Sequence, residues 1–415
     1  MNRRQFGLLS GAAAAGALVT PASPAGVKKL RITRVHTVEV RDIVTGKGLV
    51  LPWDPKKIPQ DTRDYVITQF FTDQGVVGTT MDGDYKLPAG IGAEVQRRAE
   101  AYFVGKDPFD LAVHNAQFFQ KEQAPPPIRL FFLEVALWDI IGKVTGQPLY
   151  KLWGASTDKL QPYAATVHFY KTPEERAEDA HKFYELGFRA IKLRLHHEDP
   201  KDDLKLASTV KKAVGDKMEV MVDANMAGKK KGDPPPVWDY ETAAMMAREL
   251  EQIGLYWLEE PLNRYAYDDL ARVRKQLKRM HLAGGEGNVG LKDYRDILGK
   301  GALDYIQPDP MIGGPVSVIR KIAAMGEAYG ALFGPHHGKS GVGMMTNLHM
   351  QCAAPNTGYI EYMYDPGFWN ADGFQAGFAS TYPVDKAGYM HAPEAPGLGI
   401  DWDRKFFQKH GLQFG

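Results

Sequence analysis

From residue 160 onwards the chain repeats one rhythm: a short apolar run, a stretch with helical spacing, then another run. The runs occupy residues 163–167, 190–194, 220–223, 256–259, 282–286, 305–309, 332–336 and 359–361. Strands that alternate with helices lie parallel, because each helix returns the chain to the same end of the sheet. Eight such units are what a closed β/α barrel requires. Seven of the eight runs also end in a side chain that can bind or transfer charge: Lys192 with Arg194, Asp223, Glu259, Glu286, Asp309, His336 and Glu361. The C-terminal ends of barrel strands share one open face, so these residues converge on one cavity. A single acid after a strand is ordinarily the N-cap of the next helix. A row of seven charged strand ends is not explained that way.

Asp223, Glu259 and Glu286 come from three successive strands. Three uncompensated carboxylates in a cavity of low dielectric repel one another strongly. A hard divalent cation accounts for them. Mg²⁺, one per active site, takes oxygen ligands and keeps positions open for water or substrate. Zinc fits less well, since no His or Cys stands among the three.

The rest of the chain divides around this barrel, expected over 156–375. Residues 29–42 alternate apolar and polar, and two further strand patterns near 65–71 and 76–80 are turned by Asp73-Gln74-Gly75. The Gly-, Pro- and charge-rich stretch 43–63 reads as a loop. Residues 93–153 read as helices, the clearest over 128–145. Residues 27–155 thus form a small α+β domain, and the Gly- and Pro-rich segment 376–415 is expected to pack back on it. Residues 1–26 read as an export signal: Arg3-Arg4 with Phe6, a short alanine-rich run, then Pro21 and Pro24. The arginine pair resembles a twin-arginine signal, which implies a periplasmic destination.

Bulk properties exclude several classes. With 415 residues and a net charge of +1, nothing electrostatic points to nucleic acid. No apolar run is long enough for a membrane span. The lone Cys352 rules out an intrachain disulfide framework and thiolate metal clusters. The partner implied is a small molecule; a homo-oligomer is left open.

The motifs in order resemble the enolase superfamily, in its mandelate racemase/muconate lactonizing enzyme-like branch. They are Lys192-Leu193-Arg194, Val222-Asp223-Ala224-Asn225, Trp257-Leu258-Glu259-Glu260-Pro261, Gly284-Gly285-Glu286, Gln307-Pro308-Asp309 with Gly313-Gly314, Pro335-His336 and Ile360-Glu361-Tyr362. Ala136-Leu137-Trp138-Asp139, Gly142-Lys143 and Leu152-Trp153-Gly154 look like the end of that family's capping domain. The resemblance implies a modified (β/α)7β form of the (β/α)8 barrel, with an α+β capping domain completed by the C-terminal segment. It implies that Asp223, Glu259 and Glu286 bind Mg²⁺, which chelates a substrate carboxylate and stabilises the enediolate left when the α-proton departs. Glu260 would orient its neighbour. Asn225 would support the metal or bind substrate, and His337 is a candidate substrate contact. His336, oriented by Asp309, would be the acid/base. Glu361 would bond the substrate carboxylate or its oxyanion, and must be protonated if it does so as a donor. The loop 43–63, with Trp53, would cover the site and set specificity.

One position departs from the family pattern. Relatives that move a proton between two faces carry Lys-x-Lys on the second strand, and here the second Lys is Arg194. Arginine stays protonated and makes a poor base, but a good clamp for an anion. Lys192 then remains as electrostatic support. The departure favours chemistry with one main acid/base: dehydration of a sugar acid. The alternatives are a racemase or epimerase, a sugar-lactone cycloisomerase and, from another class, a non-catalytic periplasmic sugar-acid binding protein.

Three further motifs carry less. Gly338-Lys339-Ser340 lacks the spacing of a phosphate-binding loop, yet starts a helix whose N-terminus suits an anion. Lys229-Lys230-Lys231 and the prolines after it read as a solvated excursion, the alternative being a lid that carries positive charge towards a polyanionic acid sugar. His196 and His197 read as solvated loop histidines, the alternative being that one of them reaches the cavity.

Overall fold

The computed structural model describes residues 29–414 except 55, 122–127, 230–232, 234–236, 338 and 370. The expected export signal, Lys230 and Lys231 lie outside the described residues. Three antiparallel strands, β1 (Ile32–Val44), β2 (Thr62–Thr72) and β3 (Val77–Asp84), form the capping sheet. From Arg63 onwards every residue of β2 is buried, because helices cover one face and the barrel the other. The predicted helix over 128–145 begins later. Leu130–Phe132 is a 3₁₀ turn, and the α-helix proper runs Leu133–Thr145 to a left-handed Gly146.

A short strand β4 (Lys159–Leu160) leads into the barrel. Its eight strands are β5 (Pro162–Ala165), β6 (Ala190–Arg194), β7 (Glu219–Asp223), β8 (Trp257–Glu259), β9 (His281–Gly284), β10 (Tyr305–Ile306), β11 (Leu332–Phe333) and β12 (Ile360–Met363). From β5 to β11 each pairs in parallel with the next in sequence, and β12 pairs in parallel with β5. Closure runs through a parallel bridge between Phe333 and Thr357, just ahead of β12. Seven of these strands lead into a helix of eight residues or more, and β12 does not. This is the (β/α)7β variant. The helices start where the sequence marks them. Thr172 and Glu175 make a reciprocal capping box with Pro173 in the first turn, and Asp199 and Asp239 cap the next two.

Alternation along each strand decides which side chains enter the barrel. Trp257 packs against Tyr163 at 5.1 Å and Tyr305 at 4.7 Å, forming an aromatic plug in the barrel interior. Glu259, two residues on, points the same way and sits above it. Tyr305 fits because Gly334 and Gly358 leave room: a Cβ at either would lie about 2.5 Å or less from its ring or hydroxyl.

The C-terminal segment clasps both parts. β13 (Met390–His391) pairs with β4. Gln413 exchanges two hydrogen bonds with Gln69 of β2, at 2.7 and 2.9 Å, and Leu398 N donates to Asp139. The β1–β2 loop reaches the barrel mouth, where Val50 N donates to His168 Nδ1 at 3.3 Å and Phe169 N donates to Val50 O at 3.1 Å. No described helix is long and apolar enough to cross a membrane.

Candidate active site

The strand ends meet as three ion clusters. In the first, the fully buried Lys192 donates from Nζ to both Glu259 oxygens at 3.1 Å. It also lies 2.9 Å from Glu361 Oε1 and 3.9 Å from Asp223 Oδ2. Burial alone would lower the lysine's pKa, but Glu259, Glu361 and Asp223 raise it, so Lys192 is held as a cation. In the second, Arg194 pairs with Asp223 and donates from Nε to Thr166 O at 3.1 Å. Asp223 also accepts from Asn225, whose backbone N and side-chain Nδ2 each lie 2.8 Å away. In the third, His336 Nδ1 donates to Asp309 Oδ2 at 2.7 Å, and its Nε2 lies 3.2 Å from Glu286 Oε2. Asp309 is itself fixed, because Met311 N donates to its other oxygen at 2.7 Å. Burial works against the imidazolium, yet Glu286, Glu361 and Asp309 together raise His336 to about 10.

The state of Glu361 follows from its neighbours. Burial would raise its carboxyl, but Lys192, His336, His337 and Arg194 hold it well below the ordinary range. It is therefore an ionised acceptor, not a protonated donor. His337 is not a wall of the cavity. Its ring packs on Phe374, its backbone N donates to Glu361 Oε2 at 3.2 Å and its Nε2 bonds Glu361 O. It orients Glu361 from behind. His196 corrects one expectation: it is 2% exposed rather than solvated, with Nε2 2.9 Å from Asn225 Oδ1.

Above these clusters lies a cavity of about 460 Å³. Arg194, Asn225, Glu260, Glu286 and His336 line its barrel side, and Trp53, Arg63, Asp84 and Tyr85 its capping side. Glu260, expected behind Glu259, faces the cavity, whereas Glu259 and Asp223 lie deeper against Lys192 and Arg194. The sequence reading missed Arg63, Asp84, Tyr85 and Arg264. Arg63 is 1% exposed, with its guanidinium 4.5 Å from the Tyr85 ring centroid. Lys339, considered only as part of a phosphate loop, pairs with Asp84 at 2.7 Å on the wall. A charged residue entering a fully buried strand was the signal available for Arg63. Nothing local marks the others.

The donor set suits a hard divalent cation. Asp223, Glu259, Glu260, Glu286 and Asn225 offer oxygen only. Burial, Glu286 and Asp223 push the Glu260 carboxyl well above its ordinary range, and its Oε1 is buried with no hydrogen-bond partner among the described residues. Burial and Asp223 likewise push Glu259 up to about 7, against Lys192. Burial and the neighbouring carboxylates thus keep these two acids raised despite the cations beside them. Among the described residues, however, no three His, Cys, Asp or Glu side chains converge into a closed coordination shell. The reason is visible: Asp223, Glu259 and Glu286 are each held by a cationic side chain, Arg194, Lys192 and His336 respectively.

A family model described as the enolase C-terminal domain-like region matches residues 175–406. The mandelate racemase/muconate lactonizing enzyme N-terminal domain matches residues 50–154. The chain belongs to the enolase superfamily, in its mandelate racemase/muconate lactonizing enzyme-like branch. An arabinonate dehydratase of Saccharolobus solfataricus is 30% identical over 64% of this chain and 68% of its own length. A D-galactarolactone cycloisomerase of Agrobacterium fabrum is 27% identical over 91% of this chain and 97% of its own. The fold matches the crystal structure of a racemase from Streptomyces coelicolor A3(2) with bound magnesium, with a TM-score of 0.73 and 24% identity over 92% of this chain and 99% of that one. Relatives of this enolase-superfamily chain are sugar-acid dehydratases, cycloisomerases and racemases.

Proposed function

We propose that this enolase-superfamily chain is a Mg²⁺-dependent dehydratase of a sugar acid. The observation that carries the reading is that, among the described strand-end residues, His336 is the imidazole presented to the cavity with a carboxylate behind it, and no second lysine stands on the strand opposite. His336 lines it with Nδ1 fixed on Asp309. At the position that would serve the opposite face stands Arg194, bound to Asp223 and Thr166 O. Lys192 is buried among three carboxylates that keep it protonated. Neither can take up a proton.

A bound cation would neutralise the crowded carboxylates and the negative charge that grows on the substrate carboxylate. The chain's residues do the rest. Glu286 leaves His336 Nε2 so that substrate can approach it. With Glu286 neutralised by the cation, the largest charge that raises His336 would be removed and Nε2 would release its proton; neutral Nε2 would then take the proton from the carbon next to the carboxylate, and the Asp309 carboxylate would stabilise the imidazolium. The C–O bond at the next carbon breaks, and the leaving hydroxyl takes the proton back from Nε2 as water. The enol then tautomerises to a 2-keto acid. Lys192 holds positive charge under the developing enediolate throughout.

The test is a panel of acid sugars incubated with Mg²⁺ in D₂O, with Glu286→Gln as control. The expected result is a 2-keto acid from the parent protein and a large loss in the variant. Return of both epimers with deuterium at the α-carbon would establish a racemase instead. An isomerised lactone would establish a cycloisomerase, and tight binding without turnover a binding protein. For residues 1–26 we propose twin-arginine export. Replacing Arg3 and Arg4 together by Lys is expected to leave the protein in the cytoplasm, and unchanged export would remove that reading.

A further inference from the structure

We infer that His196 is a positioning residue: by donating from Nε2 to Asn225 Oδ1 it fixes the Asn225 amide that aims Asp223 and Arg194. The inference rests on the reading that Asp223 serves a divalent cation, and names a residue outside that ligand set.

The geometry is a chain of three links. His196 follows β6 and lies under the cavity wall without lining it. Its Nε2 is 2.9 Å from Asn225 Oδ1, and its Nδ1 is buried with no hydrogen-bond partner among the described residues. A neutral imidazole carries one N–H, and the amide oxygen can only accept, so the proton resides on Nε2. Burial favours that neutral form. Asn225 passes the constraint on. Its Nδ2 donates to Asp223 Oδ2 at 2.8 Å, and its Oδ1 also accepts from Arg194 Nη1 at 3.3 Å. Its backbone is left-handed at φ +48°, a conformation Asn tolerates better than most residues, and its N donates to Asp223 Oδ1 at 2.8 Å.

The amide could in principle turn over. A flipped Asn225 would set its NH₂ against two donors, His196 Nε2 and Arg194, and its oxygen against the Asp223 carboxylate. All three contacts would become repulsive or unpaired. With His196 present the amide has one orientation. Without its donor, the weaker 3.3 Å bond from Arg194 alone holds the oxygen side. Asp223 then has more freedom, and Arg194 has more freedom to leave it. Groups that orient a ligand without touching the ion change metal affinity by about 10- to 100-fold.

The test compares two substitutions of similar length, His196→Gln, which keeps an N–H donor, and His196→Met, which does not. Mn²⁺ binding to each full-length variant is titrated directly by electron paramagnetic resonance, with thermal melts alongside. The expected result is Gln within about threefold of the parent and Met weaker by about tenfold or more. In an Asn225→Ala background, His196→Met should cost nothing further. If Met fails to fold, His196→Phe supplies a donor-free ring of similar shape. Equal affinity for Met and parent would overturn the inference, as would Gln weakened as much as Met, since packing alone would then explain the loss. Failure of the parent to bind Mn²⁺ would instead remove the metal reading itself, and this inference with it.

Discussion

The floor and the roof of the cavity are built by opposite means. The floor is a set of buried or half-buried strand-end charges, each answered by a partner: Lys192 by Glu259 and Glu361, Arg194 by Asp223, His336 by Asp309 and Glu286. The roof is assembled from loops and two strands of the capping sheet. It offers the Trp53 and Tyr85 rings, Arg63 and the Asp84–Lys339 pair. The two meet where the Arg194 guanidinium lies 5.2 Å from the Trp53 ring centroid. A floor of compensated ions is costly to alter, because removing one partner strands another charge in a low dielectric. A roof of aromatic faces and rim charges can vary without unfolding the barrel. The difference places the reaction in the floor and the choice of substrate in the roof.

The sharpest break is His336→Asn. Loss of a positioned general acid/base costs about 10²- to 10⁴-fold in turnover. We expect kcat to fall by that much while KM for the substrate stays near the parent value, since the roof is intact. A KM that rose with an unchanged kcat would move His336 from the floor's chemistry to the roof's recognition.

Lys192→Met should come next, and it should act on folding. It leaves Glu259, Glu361 and Asp223 short of a buried counter-charge, at a cost of about 3–5 kcal/mol. Urea unfolding of the metal-free protein is the measurement. A loss under about 1 kcal/mol would show that the floor tolerates an unbalanced charge, and the contrast with the roof would fail.

Trp53→Ala tests the other side. With the floor untouched, KM should rise about tenfold, equivalent to about 1.4 kcal/mol, and kcat should remain within about threefold. A change in kcat alone would mean that the ring over Arg194 serves the reaction and not recognition.

The same division explains what could be read from the sequence. Strand ends of a barrel announce themselves, because a short apolar run followed by Asp223, Glu259 or His336 fixes the residue's place in the fold. Offsets were harder. Glu286, Asp309 and His336 stand two to three residues beyond the last ladder residue, in loops whose hydrogen bonds carry them inward. The state of Glu361 was not legible, because it depends on Lys192, two histidines and Arg194 arriving from other strands. Nor was the burial of His196, which the cover above it decides. The roof was legible only as a loop with a tryptophan in it. Arg63, Asp84, Tyr85 and Lys339 converge through tertiary packing, which leaves no local pattern.

The smallest effect expected lies at the hinge between floor and roof. The β1–β2 loop is latched by Val50 N donating to His168 Nδ1, and the ring is stacked on Phe368 at 3.6 Å. An acceptor Nδ1 requires the neutral imidazole. Burial lowers the His168 pKa below its ordinary 6.5; Asp365 and Glu175 oppose that shift, and Arg176 and Lys171 add to it. With the folded pKa below the unfolded one, the latch is fully present above about pH 6.5 and is lost as pH falls through the lower folded value. KM should therefore climb on acidification, as the latched loop carrying Trp53 loosens. His168→Gln keeps an oxygen that can accept from Val50 N but cannot titrate, so it should flatten that climb while leaving KM at pH 8 nearly unchanged. A variant with the parent's full acid slope would place the titrating group elsewhere, and the roof would then be held by its packing rather than by this bond.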